Sequence, residues 1–289
     1  MCVTCGCGES QATIEGAGAA QVHTHADGTT HAHGHERGHD HEHDHDHDHP
    51  HAHAAPPHRH DLEVPGRDVQ TIALEAAVLG KNQALAERNR GWLAGRGVLA
   101  LNLMSSPGSG KTTLLERCIG DLHSQVAISV VEGDQATAND AQRISAAGAA
   151  AVHVITCTGC HLEADMLERA LRLLQPAAGS LVVIENVGNL VCPALFDLGE
   201  SARVVIFSVT EGEDKPLKYP HMFSRADVLL LSKIDLLPHL RVDLALMIDN
   251  ALRVNPRLKI FPLSAYSGEG LDAWYGWLRV ALARVQALE

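Results

Sequence analysis

The chain has 289 residues, of which 45% are apolar and 3% aromatic, which suits one large domain or two small ones. Its formal net charge is −12, and residues 1–66 carry most of it, with eleven acids against two arginines. This acidity argues against nucleic acid as a partner. No stretch approaches the roughly 20 apolar residues of a membrane span, and the start lacks the basic and apolar regions of a signal peptide. We therefore predict a cytoplasmic protein with no membrane partner.

The chain opens with three closely spaced cysteines, Cys2, Cys5 and Cys7. Three thiolates within six residues can wrap one soft or borderline metal ion without support from a fold. The alternative is an unstructured terminus that happens to carry cysteines. Because we expect a reducing compartment, metal ligands or core residues are favoured over disulfides for the seven cysteines of the chain.

A histidine tract follows the cysteines: residues 23–60 contain 15 of the 20 histidines, alternating with acids in HDHEHDHDHDHPHAH. The tract has almost no apolar residue to bury, so we predict that residues 1–66 form a disordered tail. Neutral imidazole beside carboxylate offers overlapping sites for Ni²⁺, Zn²⁺ or Cu²⁺. An expression tag is the alternative, although tags are usually uniform histidine. Prolines and a glycine at 56–57 and 65–66 mark the boundary with a folded domain, residues 67–289.

The folded domain begins with a helical pattern at 67–93, which Gly80 is expected to break into two helices. Short apolar runs then alternate with amphipathic helices. The predicted strands are 98–104, 126–131, 151–155, 180–184, 203–209, 228–231 and 259–263, and the predicted helices are 112–122, 138–147, 162–174, 241–253 and 270–288. This alternation predicts an α/β fold with a mostly parallel sheet flanked by helices, in which ligands bind at the carboxyl ends of the strands.

A glycine-rich turn, SSPGSGKTT, joins the first predicted strand to a helix. It resembles the phosphate loop of P-loop NTPases, except that Ser105 replaces the first glycine. The glycines let backbone N–H groups approach phosphate oxygens, Lys111 reaches the β- and γ-phosphates, and the Thr112 hydroxyl holds Mg²⁺. The alternative is an ordinary strand–helix turn. The predicted nucleotide-binding residues here are Gly108, Ser109, Gly110, Lys111, Thr112 and Thr113.

Two later motifs favour GTP over ATP. The stretch Ser232-Lys233-Ile234-Asp235 resembles the N-K-x-D motif of GTPases, with Ser in place of Asn, and predicts Lys233 and Asp235 as base-binding residues. The Asp235 carboxylate could accept two hydrogen bonds from guanine, whereas adenine would leave it unpaired. Ser264 and Ala265 resemble the loop whose backbone contacts the guanine oxygen.

Two acids end predicted strands where a catalytic Mg²⁺ would lie. Glu185, in the stretch ENVG, occupies the place of a Mg²⁺-side carboxylate, and the N–H of Gly188 could reach the γ-phosphate. Asp134 could either hold Mg²⁺ or orient the attacking water. With Lys111, these two acids form the predicted catalytic set. The alternative for both acids is a helix cap or a solvated loop residue.

Cys160, His161 and Cys192 follow predicted strands beside the phosphate-sensing loops. Loops of this kind change order with the γ-phosphate, so ligands there could couple metal affinity to nucleotide state. The alternative is core packing, which free cysteine often adopts. Cys157 is close enough along the chain to take part, and Cys118 is predicted to pack inside a helix.

These motifs occur in one order together with ENVGNLVCP, DKPLKYP and SKIDLLP, and over essentially its whole length the chain is similar to the HypB family of P-loop GTPases. That family assists nickel insertion into [NiFe] hydrogenase. The resemblance implies nickel binding at Cys2, Cys5 and Cys7, and a nickel or zinc site at Cys160, His161 and Cys192. It also implies slow GTP hydrolysis to GDP, a GTP-dependent homodimer, and as partners a HypA-type accessory protein and the hydrogenase large-subunit precursor.

Two other functions stay open on the sequence alone. Related G proteins mature urease or cobalamin enzymes, and the urease proteins also carry histidine tails, although the cysteine triad and ENVGNLVCP favour hydrogenase. A passive nickel store with a vestigial nucleotide domain belongs to a different class, and GTP turnover would separate it from a metallochaperone.

Overall fold

The structure is a computed structural model, and it describes residues 13–16, 23–24, 30–31, 69–134, 139–156 and 159–287. The predicted ligands Cys2, Cys5 and Cys7 lie outside these residues, as do Cys157 and most of the histidine tract. The chain divides into two compact units. One contains the strand at Thr13–Gly16 and the chain from Gln70 onward, and the other lies between Gly18 and Val69.

An eight-stranded sheet forms the centre of the larger unit. Its strands are β1 Thr13–Gly16, β4 Leu99–Ser105, β5 Ile128–Asp134, β6 Ala150–Ile155, β7 Leu181–Glu185, β8 Ala202–Ser208, β9 Val228–Ser232 and β10 Lys259–Pro262. They lie in the spatial order β1-β6-β5-β7-β4-β8-β9-β10, and all neighbouring strands are parallel except the edge strand β1, which is antiparallel to β6. In the other unit, β2 (His23–Thr24) pairs antiparallel with β3 (Thr30–His31).

Helices flank the sheet, and all but the first and the last of those described connect parallel strands. They are α1 Val69–Ala94, α2 Lys111–Leu122, α3 Asn139–Ala146, α4 Ala164–Leu174, α5 Lys215–Lys218, α6 Pro220–Ser224, α7 Leu244–Val254 and α8 Leu271–Gln286. Short 3₁₀ turns lie at Cys192–Ala194, Val209–Glu211 and Ile234–His239. The predicted α/β fold of a P-loop NTPase is confirmed. No helix among the described residues combines the length and apolar character needed to cross a membrane.

Alternation along β4 explains how the sheet is covered on both faces. Leu99, Leu101 and Leu103 pack into a buried cluster with residues of α2 and α8, whereas Val98 and Ala100 join a second cluster with residues of α1 and α4. Successive side chains of a strand point to opposite faces, so an almost continuous apolar strand needs helices on both. The loops at the carboxyl ends of the strands are therefore left to form the site.

The expectation that Gly80 breaks the first helix is wrong, because α1 is continuous from Val69 to Ala94. A helical glycine costs only about 1 kcal/mol relative to alanine, and tertiary contacts hold the helix. The Asn82 amide donates to the carbonyl of Asp197 at 2.7 Å, and a Cβ at Gly199 would collide with the Ala86 carbonyl oxygen. The sequence also missed β1 to β3, which lie within residues 1–66 and whose two to four residues are too short to show a period.

Candidate functional site: a nucleotide cavity beside a cysteine–histidine cluster

The glycine-rich turn lies at the carboxyl end of β4 and lines a cavity of about 520 Å³. Gly108 and Gly110 have φ of 73° and 94°, a conformation that residues with side chains rarely adopt. Helix α2 begins at Lys111, directly after Gly110. The first N–H groups of a helix have no partner within the helix, so this terminus offers donors to phosphate oxygens. All six predicted phosphate-binding residues, 108–113, line the cavity.

The serine at the first glycine position of the consensus is accommodated by hydrogen bonds. Ser105 is fully buried, and its hydroxyl donates to the carbonyl of Ser106 at 2.7 Å. The same oxygen accepts a hydrogen bond from the Lys111 ammonium at 3.1 Å. Ser105 therefore holds the Lys111 ammonium against the glycine-rich turn.

A second support comes from Glu211, a residue that the sequence analysis missed. Its Oε2 accepts the hydroxyl of Ser106 at 2.5 Å, and its Oε1 accepts the N–H of Ser208 at 2.9 Å. Lys215, in the DKPLKYP motif, lies 3.0 Å from the same carboxylate. Glu211 thus joins the phosphate loop to the end of β8 and to α5. The Glu three residues after Ser208 is a capping-box signal that could have revealed it.

Oxygen atoms of three side chains converge at the start of α2. The Thr112 hydroxyl oxygen lies 2.7 Å from Glu185 Oε1 and 3.0 Å from Asp140 Oδ2. Among the described residues, Glu185 Oε2 is buried without a hydrogen-bond partner. Hydroxyl and carboxylate oxygens are ligands that Mg²⁺ prefers. A bound cation would give the buried Glu185 Oε2 the polar partner that it lacks among the described residues. The sequence predicted Thr112 and Glu185 but missed Asp140, whose place in the first turn of the helix after Asp134 was the available signal.

Burial dominates the electrostatics of this end of the sheet. It raises the pKa of Glu185 above the usual range, and the ammonium of Lys111 and the hydrogen bond from Thr112 oppose that shift. Glu132 pairs across the sheet with Glu185, and burial together with that carboxylate raises the pKa of Glu132 to about 9. Asp134, the other predicted catalytic acid, lies at the end of β5 and lines the same cavity. A divalent cation bound in the cavity would oppose both shifts, because its charge would lower the pKa of Glu185 and Glu132 and favour their ionised forms.

The two motifs that predict base recognition are residues 232–235 and 264–265. They follow the neighbouring strands β9 and β10. Ser232 replaces the usual Asn, and its hydroxyl donates to the carbonyl of Ser109 at 2.8 Å. The ammonium of Lys233 donates to the carbonyl of Gly108 at 2.7 Å. Ser232 and Lys233 therefore brace the phosphate loop.

The predicted guanine contacts come close together through the backbone. The N–H of Ile234 donates to the carbonyl of Leu263 at 3.3 Å. The next residues in the chain, Asp235 and Ser264, are therefore brought near each other at the carboxyl ends of β9 and β10. The hydroxyl of Ser264 accepts the N–H of Tyr266 at 3.2 Å. Within the described chain, the cavity lining extends to Lys233 but does not include Asp235, Ser264 or Ala265.

A separate cluster contains Cys160, His161 and Cys192, whose ligand atoms lie within 4.8 Å of one another. The three residues are 8%, 4% and 0% exposed, and Cys160 Sγ is 3.6 Å from His161 Nδ1. The His161 ring stacks on Phe196 at 4.0 Å between centroids. Burial lowers the pKa of His161 to about 4, so the imidazole is neutral at pH 7, which is the form that binds metal. Cys118 is buried in α2 and packs as the sequence predicted.

The chain matches the family model "CobW/HypB/UreG, nucleotide-binding domain" over residues 99–262. It is 55% identical over 224 residues to the hydrogenase maturation factor HypB of Rhizobium leguminosarum bv. viciae, covering 77% of this chain and 75% of the relative. With the HypB of Azotobacter vinelandii the identity is 48% over 279 residues, covering 96% and 91%.

Two solved structures are similar to this fold. HypB from Archaeoglobus fulgidus has a TM-score of 0.66 and 40% identity, covering 71% of this chain and all of that one. HypB from Helicobacter pylori in complex with nickel has a TM-score of 0.66 and 37% identity, covering 71% and 96%. The sequence identity, the shared fold and the nucleotide cavity lead to one conclusion: the chain belongs to the CobW/HypB/UreG nucleotide-binding family and, within it, to the HypB hydrogenase maturation factors.

Proposed function

We propose that this chain is a GTP-hydrolysing metallochaperone that delivers nickel during maturation of a [NiFe] hydrogenase. The observation that carries the proposal is the buried set of two thiols and a neutral imidazole in the same domain as the phosphate cavity. Soft and borderline ligands of this kind suit Ni²⁺ and Zn²⁺. A relative of similar fold has been solved in complex with nickel, which supports the same cargo here.

The residues of the cavity divide the work of GTP hydrolysis. Lys111 stabilises the charge that develops on the transferred phosphoryl group. Thr112, Glu185 and Asp140 would hold Mg²⁺, which neutralises phosphate charge when bound. Asp134, at the end of β5, orients the attacking water. The product is GDP, and we expect slow turnover because the resemblance to the HypB family implies it.

Guanine selection falls to the motifs after β9 and β10. Asp235 accepts the two N–H donors of guanine, and the backbone of Ser264 and Ala265 contacts its oxygen. Lys233 braces the phosphate loop and packs beside the nucleotide. Adenine lacks these two donors and would leave the Asp235 carboxylate unpaired, so we expect ATP to bind more weakly than GTP.

The cluster at Cys160, His161 and Cys192 supplies three ligands, which leaves one position of a four-coordinate metal open. We propose that a GTP-dependent homodimer or a HypA-type accessory protein fills that position, and that the hydrogenase large-subunit precursor is the final acceptor. Cys2, Cys5 and Cys7 form a second nickel site, and the histidine tract is a nickel store. The protein works in the cytoplasm.

The test compares nickel release from the wild-type chain and from Lys111→Ala. In both chains residues 23–60 are deleted, so that the histidine tract contributes no nickel. Each is loaded with nickel, mixed with a chromophoric chelator, and followed after GTP or GDP is added. We expect the wild type to hydrolyse GTP and to release cluster-bound nickel at a rate that depends on the nucleotide, whereas Lys111→Ala shows one rate. A wild-type chain that bound nickel but turned over no GTP would be a passive store.

A further inference from the structure

Leu162, the residue after the cluster ligand His161, is hydrogen-bonded to the carboxyl end of the sheet, where the nucleotide cavity lies. Leu162 comes directly after His161, is fully buried, and donates its N–H to Asn186 Oδ1 at 3.1 Å. Asn186 comes directly after Glu185 at the end of β7. One hydrogen bond therefore connects the loop that carries two cluster ligands to the strand that carries a Mg²⁺-side carboxylate.

The side chain of Asn186 has no freedom to rotate. It is 1% exposed, and its Oδ1 also accepts the N–H of Val187 at 3.0 Å. Its Nδ2 donates to the side chain of Asn102 at 3.2 Å, and Asn102 in turn donates to Glu200 at 3.4 Å. Turning the amide would leave buried N–H groups unpaired, which costs about 1–3 kcal/mol each. The amide must therefore move as one body with its backbone.

The other end of this segment touches the phosphate loop. Val187 leads to Gly188, where a Cβ would lie 3.3 Å from Cα, Cγ and N of Pro107. Gly188 lines the nucleotide cavity, and its N–H is the predicted γ-phosphate donor. The three residues 186–188 thus reach from the metal loop to the phosphate loop.

A packing contact reinforces the connection. A Cβ at Gly133 would lie 2.8 Å from Cγ of Leu162, so the leucine side chain packs directly on the backbone of β5. Gly133 lies between Glu132 and Asp134, which both line the cavity. Leu162 is therefore held on both sides by strands that end at the nucleotide.

We propose that Asn186 is the positioning residue that couples the nucleotide to the metal cluster, an inference that rests on the proposed function. When Gly188 engages or loses the γ-phosphate, the backbone of 187 and 186 moves with it. Because the Asn186 amide accepts the N–H of Leu162, Leu162 moves with it, and the preceding residues His161 and Cys160 are displaced as well. The geometry of the ligands then differs between the GTP and GDP states, so metal affinity differs too.

The experiment uses the full chain and measures nucleotide affinity, because linkage requires metal to change nucleotide binding by the factor with which nucleotide changes metal binding. Affinities for GDP and for a non-hydrolysable GTP analogue are measured with a fluorescent competitor, without and with saturating Ni²⁺. In the wild type, we expect Ni²⁺ to change the ratio of the two affinities by about 5–150-fold. Cys192→Ser should abolish this change, which assigns it to the cluster and not to the tail.

In Asn186→Ala, Ni²⁺ should leave the ratio unchanged, although both nucleotides and Ni²⁺ still bind. The matched control is Asn255→Ala, because Asn255 is also buried and also makes three hydrogen bonds, in its case to backbone groups of residues 223, 226 and 257, which precede the amino ends of β9 and β10. The control should lose stability and keep the wild-type response. A wild-type response in Asn186→Ala would overturn the coupling role alone, whereas no response in the wild type would overturn the proposed function with it.

If Asn186→Ala does not fold, a measurement on the wild type takes its place. Amide hydrogen exchange at Leu162 reports on its bond to Asn186. With Ni²⁺ bound, we expect exchange at Leu162 to differ between the GDP and the GTP-analogue states. Equal exchange in the two states would overturn the coupling role.

Discussion

Asp140→Asn should weaken Mg²⁺ binding without disturbing the fold. The structure places Asp140 Oδ2 3.0 Å from the Thr112 hydroxyl, opposite Glu185, so Asp140 supplies one of two carboxylates in the oxygen set. Its side chain is 42% exposed and its ion pair with Arg143 is a surface pair, which contributes little stability. Asn keeps the shape and one oxygen but removes the charge.

The magnitude follows from the loss of one charged partner of the metal. Changes to groups that position or neutralise a bound metal typically cost 10–100-fold in affinity, which is about 1.4–2.8 kcal/mol. We therefore expect the Mg²⁺ concentration for half-maximal GTP hydrolysis to rise about 10–100-fold, with turnover recovering at saturating Mg²⁺. The assay is a Mg²⁺ titration of phosphate release at saturating GTP.

The matched control is Asp272→Asn, since Asp272 also lies in the first turn of a helix, α8. It should leave the Mg²⁺ requirement unchanged and test whether a general change in surface charge is responsible. If Asp140→Asn showed the wild-type Mg²⁺ requirement, the assignment of Asp140 to the metal would be refuted, and Thr112 and Glu185 would have to hold Mg²⁺ without it.

Four further changes test other parts of the account. Lys111→Ala should slow GTP turnover by on the order of 10²-fold or more, measured as phosphate release. Asp235→Asn should loosen GTP and favour xanthosine nucleotides in competition binding. Deleting residues 23–60 should remove most bound nickel, measured by metal analysis, and leave GTP turnover near wild type. Gly199→Ala should lower the free energy of unfolding by about 2 kcal/mol or more, measured with urea, because φ is +89° and the Cβ meets the backbone of α1.

Much of the fold could be predicted because parallel strands buried on both faces have a clear apolar signature. The predicted strand 98–104 is β4 at Leu99–Ser105, and 228–231 is β9 at Val228–Ser232. The elements that were missed are short, like α5 and α6, or lie in a segment of low apolar content, like β1. The predicted break at Gly80 is wrong because the low helix propensity of glycine has a smaller effect than the tertiary contacts that stabilise α1.

The site was predicted where a residue type has a fixed place in a motif and missed where only geometry selects it. Lys111, Thr112 and the cysteine–histidine set stand at recognisable spacings. Asp140 and Glu211 are ordinary acids in the sequence, and only the fold brings each beside the phosphate loop. The sequence marks each acid as a residue near the start of a helix, but it does not show that the two approach the phosphate loop, because that depends on where separate strands end.

The central claim is that nucleotide state sets metal affinity at Cys160, His161 and Cys192. It is tested most directly by titrating Ni²⁺ and Zn²⁺ into a chain that keeps β1 but carries Cys2→Ser, Cys5→Ser and Cys7→Ser and lacks residues 23–60, loaded with GDP or with a non-hydrolysable GTP analogue. We predict affinities that differ between the two states by about 5–150-fold. Equal affinities would mean that the cluster is a static structural site and that GTP does not gate metal release.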